Sequence, residues 1–209
     1  MECQRMRKMV RQRQTGIAAV WIALMLGLCH PALAHTAGIG AAGLGAGLAH
    51  PLTGADHLLA MVSVGIWGAE LGGAAIWLLP IAFPLVMAVG GALGVVGMPL
   101  PGGELLIALS VVVLGAAVAT AWRASLWAAL AIVGVFAVAH GHAHGTELPH
   151  SADALAFTVG FVIATGLLHL AGIAIGLVAR WGSGLAAIRA AGTAIAAAGC
   201  YFVFVHTGI

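Results

Sequence analysis

Charged residues are scarce in this sequence. Only 7% of its 209 residues are Asp, Glu, Lys or Arg, whereas 62% are hydrophobic, and the mean hydropathy is +1.11. A soluble domain of this length carries about a quarter charged residues, so the composition excludes an ordinary soluble enzyme or regulator. We predict an all-α protein, a polytopic bundle of membrane-spanning helices surrounded by the lipid bilayer.

Basic residues are almost confined to the N-terminus. Five of the eight Lys and Arg residues lie in the first thirteen positions, and the chain from residue 35 onward keeps only Arg123, Arg180 and Arg189. Nucleic-acid binding needs a basic patch or stripe. We therefore expect no nucleic-acid partner.

Residues 1–34 have the three parts of a secretory signal. A basic segment is followed by an apolar run from Gly16 to Cys29 and by Ala32-Leu33-Ala34 before His35. We predict a cleavable signal peptide over 1–34 and a single transmembrane domain over 35–209. The alternative is an uncleaved first transmembrane helix. Cleavage would make His35 the N-terminal residue, where its free amine and imidazole are a candidate metal ligand.

Cysteine and nucleotide-binding signatures are also missing. Cleavage would leave Cys200 as the last of the three cysteines, which excludes a disulfide framework and a thiolate metal cluster. The sequence contains no Walker A and no H-E-x-x-H motif. A G-x-G-x-x-G begins at Gly38, but no strand precedes it, so we expect no organic cofactor.

Long apolar segments make up most of the remaining chain. Six of them lie near residues 54–70, 75–97, 104–122, 125–142, 152–179 and 185–206. The glycine-rich stretch 36–49 would reach only about 21 Å as a helix, less than the roughly 30 Å hydrocarbon core. We predict six transmembrane helices and a short partial helix, or seven crossings if residues 36–49 span.

Six crossings place alternate loops on opposite sides. The loops near 71–74, 123–124 and 180–184 share one side, which carries all three arginines and five tryptophans: Trp67, Trp77, Trp122, Trp127 and Trp181. Positive residues mark the cytoplasmic side and tryptophans anchor at interfaces. The histidine-rich side is therefore expected to face the periplasm of a bacterial inner membrane.

A first polar motif, His50 to His57, interrupts this apolar pattern. Pro51 is expected to end the helix that arrives through Ala49, and Thr53 to cap a new helix with Asp56 and His57 in its first turn. Helix breaks of this kind form ion sites in transporters, so His50, Asp56 and His57 are candidate metal ligands. The alternative is a capped helix start with a hydrogen-bonded histidine.

A second polar motif runs from His140 to Glu147. In a helix, His140, His144 and Glu147 fall within about 60° of one another, while His142 points away. Imidazole and carboxylate ligands suit Ni²⁺, Co²⁺ or Zn²⁺. The alternative is an interfacial histidine run that binds metal adventitiously, with His142 as a reserve ligand if the glycines bend the helix.

Two further residues are weaker metal candidates. Met61, one turn after His57, has a thioether, although a core methionine is the simpler interpretation. His169 lies deep in a predicted crossing with Thr158 and Thr165 at helical spacing. That stripe indicates either a pathway or a histidine bonded to neighbouring backbone.

Both motifs resemble those of the HupE/UreJ family, membrane-bound hydrogenase/urease accessory proteins associated with nickel uptake. The family's first motif resembles H-P-x-x-G-x-D-H-x-x-x-M, and its positions are filled here by His50, Pro51, Gly54, Asp56, His57 and Met61. The stretch His140–Glu147 is similar to a second family motif. The resemblance covers roughly His35 onward and implies nickel, delivered for hydrogenase or urease maturation.

The sequence therefore predicts a non-enzymatic membrane transporter that takes up a divalent metal. Two alternatives stay open. One is a histidine-zinc-dependent intramembrane hydrolase, and the other is a metal-binding accessory or sensor subunit that does not transport.

Overall fold

The computed structural model describes residues 43–147, 154–181 and 183–208, and every regular element within them is helical. The helices are α1 (Leu44–Thr53), α2 (Ala55–Leu71), α3 (Ala75–Val95), α4 (Gly103–Thr120), α5 (Leu126–Thr146), α6 (Ala154–Leu177) and α7 (Gly184–Thr207), with a 3₁₀ turn at Val178–Arg180. The predicted signal peptide and His35 lie outside the described residues.

Five of these elements are long and apolar enough to cross a membrane: α3, α4, α5, α7, and α6 with the 3₁₀ turn that follows it. The chain is therefore a multi-pass helical membrane protein. Helix α2, the first predicted crossing, has 17 residues and a length of about 26 Å. It is also well enclosed by its neighbours, because residues 60–69 are all buried.

The break between α1 and α2 falls later than predicted. Pro51 lies inside α1 and does not end it, and the chain leaves the helix at Gly54, which has φ −96° and ψ 114°. The hydroxyl of Thr53 donates to the His50 carbonyl at 2.7 Å, so it does not cap α2. The predicted proline stop was wrong, because Pro51 removes only one backbone hydrogen bond from α1. The predicted threonine cap was also wrong, because the Thr53 hydroxyl bonds within α1.

The helices pack through glycines. In α5, a side chain at Gly141 would meet the Met87 carbonyl of α3, and one at Gly90 of α3 would meet the Val138 carbonyl of α5. Comparable backbone approaches join α2 to α6 at Gly65 and Gly172. Small residues at such contacts let helices approach closely in lipid, and they fix which faces meet.

Two arginines bind backbone carbonyls at the ends of neighbouring helices. The Arg123 guanidinium donates to the Glu70 carbonyl at 2.8 Å, and Arg189 donates to the Ala119 carbonyl at 2.8 Å. The indole of Trp67 donates to the Trp122 carbonyl at 3.0 Å. Trp67 is fully buried, so it packs inside the bundle and is not the interfacial anchor that we expected.

Candidate metal site

The turn at Gly54 places His57 and Asp56 at the other end of the bundle. Oδ1 of Asp56 accepts hydrogen bonds from the backbone N–H of His57 and from its ring Nδ1, both at 2.8 Å. An ionised carboxylate only accepts, so Nδ1 is the donor, and in the neutral tautomer of this ring Nε2 carries the lone pair. That Nε2 atom is buried and has no hydrogen-bond partner.

Helix α5 contributes His140 and His144 from one face. The ring Nδ1 of His140 donates to the Phe136 carbonyl at 2.9 Å, which leaves its Nε2 as an acceptor. His144 uses Nδ1 to contact Nε2 of His50 at 3.0 Å. The Nε2 atoms of His140 and His144 are buried without a hydrogen-bond partner.

These four imidazoles form a contiguous cluster, called here the histidine cluster. The ring centroids of His57 lie 4.8 Å from His140 and 4.6 Å from His144, and those of His50 and His144 are 4.8 Å apart. Burying an unpaired polar atom costs free energy. Three unpaired Nε2 atoms in one cluster indicate a place for a cation, which would accept their lone pairs.

Glu147 lies at the outer edge of the histidine cluster. His50, His144 and Glu147 each offer one ligand atom, and these three atoms lie within 4.8 Å of one another. Oε2 of Glu147 lies 3.6 Å from Nε2 of His50. The neighbouring His50 imidazole lowers the pKa of the Glu147 carboxyl below its ordinary value. Glu147 is exposed while His140 is fully buried, so the group runs from surface to interior.

Three phenylalanines border the histidine cluster, and the sequence analysis did not identify them. Phe161 lies 4.4 Å from His144, Phe157 5.4 Å from His50, and Phe83 5.4 Å from His140, measured between ring centroids. The spacing of four between Phe157 and Phe161 on α6 was the available signal. The rings make an apolar wall, which strengthens electrostatic interactions beside it.

The remaining candidates lie apart from the cluster. His142 points away, as the helix geometry predicted, and its Nε2 lies 2.6 Å from the Met98 carbonyl. Met61 is buried in the hydrophobic core. His169 is also buried. Thr158, by contrast, is exposed and donates to the Ala154 carbonyl, so it does not belong to a buried stripe with His169.

A family model and a curated relative each match most of this chain. The family model described as HupE / UreJ protein matches residues 22–202. Protein HupE of Rhizobium leguminosarum bv. viciae is 45% identical over 173 residues, which cover 82% of this chain and 91% of that protein. No solved structure matches the chain significantly.

Proposed function

This chain belongs to the HupE/UreJ family, and on that premise we propose that it is a membrane transporter that takes up a divalent transition metal. Nickel is the proposed substrate, and hydrogenase or urease maturation its proposed destination. The observation that carries the proposal is the convergence of three unpaired, buried Nε2 atoms, from His57, His140 and His144. Imidazole-rich sites suit Ni²⁺, with Co²⁺ and Zn²⁺ as competitors.

Capture would begin at the exposed edge of the histidine cluster. Glu147 and His50 offer a carboxylate oxygen and an imidazole 3.6 Å apart, and His144 lies within reach of both. A hydrated ion would exchange water for these ligands and then move toward His57 and His140. Because the imidazoles are contiguous, each new bond can form before an old one is lost.

We propose that the histidine cluster faces the periplasm of the bacterial inner membrane. Helix α2 then crosses the membrane together with the five longer helices, which makes six crossings in all. The end with Arg123 and Arg189 is cytoplasmic under the positive-inside rule. An inside-negative potential would favour entry of a divalent cation by about 4.6 kcal/mol per 100 mV, twice the value for a single charge. Uptake would run without ATP and without enzymatic chemistry.

The test is ⁶³Ni²⁺ flux into proteoliposomes that contain only this purified chain, with a potassium-diffusion potential negative inside. We expect potential-dependent uptake that His57→Ala abolishes. His206→Ala is the matched control, because His206 is an exposed histidine on α7, and it should transport normally.

The same preparation separates the alternatives. Binding of Ni²⁺ without flux would overturn transport in favour of an accessory or sensor subunit. Zinc-dependent hydrolysis of lipid or peptide by the purified chain, without flux, would favour the hydrolase.

A further inference from the structure

His169 is a buried histidine with unused hydrogen-bonding capacity in the middle of α6. It is 1% exposed, and neither ring nitrogen makes a hydrogen bond. Phe83 of α3 contacts the ring, and the Pro80 carbonyl lies about one turn before Phe83 on the same helix. Pro84 lacks the N–H that would bond to Pro80 in a regular helix, so this carbonyl is also available to a ligand.

Thr165 lies one turn before His169 on the same face of α6. It is fully buried, and its hydroxyl has no hydrogen-bond partner. A helical threonine commonly donates to the carbonyl four residues earlier, as Thr158 does on this helix. Thr165 does not, so its hydroxyl oxygen and the His169 imidazole are two unpaired polar groups at adjacent turns.

This pair connects to the histidine cluster by two routes. The Phe83 ring makes a T-shaped contact with both His140 and His169, with its centroid 5.4 Å from each. Along α6, Phe161 contacts His144, and Thr165 and His169 follow at successive turns. His169 is therefore about 12 Å deeper than Phe161 along the helix.

We propose that Thr165, His169 and the Pro80 carbonyl form a second, inner binding station for the transported divalent cation, reached from the histidine cluster past Phe83. This inference rests on the proposed transport function. Polar groups without partners inside a membrane protein are costly and mark ion pathways. The station offers few ligands, and conduction requires binding that is weak enough for the ion to leave.

Phe83 would act as the barrier between the two sites. Its side chain is fully buried and contacts an imidazole on each side. In this proposal, the ring closes the direct path from His140 to His169, and an ion passes when the ring turns. The two sites are thereby kept separate, which permits a bound ion at the outer site without an open pore.

The test compares uptake with equilibrium binding in two variants, Thr165→Val and His169→Leu. Flux of ⁶³Ni²⁺ into proteoliposomes should fall about tenfold or more, as for loss of a metal-site group. Equilibrium binding of Ni²⁺ to the detergent-purified variants should stay within about twofold of wild type, because the histidine cluster is intact. Thr158→Val is the matched control on the same helix, and its flux should be unchanged.

A third variant tests the metal preference of transport, which would not change if His169 had only a structural role. His169→Cys, in a chain with no other cysteine, replaces imidazole by a softer ligand and should shift the flux preference from Ni²⁺ toward Cd²⁺.

The outcomes are distinct. Wild-type flux in both Thr165→Val and His169→Leu would overturn the inner station and leave the transport proposal standing. Loss of equilibrium binding in these variants would overturn it too, because His169 would then support the histidine cluster structurally. Absence of flux in the wild-type chain would instead overturn transport itself.

Discussion

At the scale of single residues, the site depends on the orientation of imidazole rings. Asp56 holds Nδ1 of His57, and the Phe136 carbonyl holds Nδ1 of His140. Both rings consequently present Nε2 to the same region. Metal-binding histidines are commonly held in this way by a carboxylate or carbonyl, which sets the tautomer and the ring position.

Asp56→Asn should weaken Ni²⁺ binding by about 10- to 100-fold. The amide can still contact His57, but it removes the negative charge and no longer fixes the proton on Nδ1. Competition against a chelating dye would measure the affinity, with circular dichroism as the check on folding. Unchanged affinity in a folded variant would mean that Asp56 does not position His57 for metal.

His144→Ala should reduce Ni²⁺ uptake by about tenfold or more, whereas His142→Ala should change it by less than about twofold. His144 contacts both His50 and His57, while His142 is directed to the Met98 carbonyl. Uptake titrated against external Ni²⁺ distinguishes them. Equal losses would indicate that the motif acts as an undifferentiated histidine run.

At the scale of helices, glycine contacts decide which faces of the bundle meet. The contact at Gly141 brings the backbones of α3 and α5 together one residue from His140. Since His140 and His144 leave α5 on the side of α1 and α2, this packing also sets the direction of the metal ligands. Motion during transport is therefore expected between such pairs and not within them.

Gly141→Ala should destabilise the protein by about 1–3 kcal/mol, because a methyl group there overpacks the contact with Met87. Gly134→Ala is the matched control on the same helix. A side chain at Gly134 meets nothing within 4 Å, so this variant should be as stable as wild type or more so. Thermal unfolding in detergent would compare them. Similar midpoints would show that α3 and α5 can separate at little cost.

The sequence predicted the long helices and the shared faces of the two motifs well, because both follow from periodicity. Hydropathy located α3 to α7, and a spacing of 3.6 separated His142 from His140 and His144. It predicted the α1–α2 break too early, at Pro51 and Thr53, because the Thr53 hydroxyl bonds within its own helix and the chain turns only at Gly54. It did not predict Phe83 beside two histidines, because contacts between distant segments leave no local pattern.

At the scale of the whole molecule, the two ends differ in chemistry. The histidine cluster and Glu147 lie at one end, and the contacts of Arg123 and Arg189 with neighbouring carbonyls lie at the other. In the transport mechanism that we propose, the histidine cluster is the entrance and the basic end is the exit. A cation that reaches the basic end is not retained there, which favours release.

Cysteine labelling tests the orientation. Pro101→Cys and Ser183→Cys, each in a chain with no other cysteine, place thiols at the two ends. Pro101 is exposed. We choose it over the neighbouring Gly102, whose φ of 75° would strain a side chain. A membrane-impermeant thiol reagent should label position 101 in intact spheroplasts and position 183 only after lysis. The opposite result would reverse the direction of transport.

The distance along the chain between the two halves of the histidine cluster has a consequence for biosynthesis. His50 and His144 are 94 residues apart, and α1 packs against α6 through Gly47 and Gly160. At about 5–20 residues per second, the ribosome needs roughly 5–20 s to extend the chain from His50 to His144. Until then, the nascent chain has only part of the cluster, so metal can be captured only after α5 and α6 have been inserted.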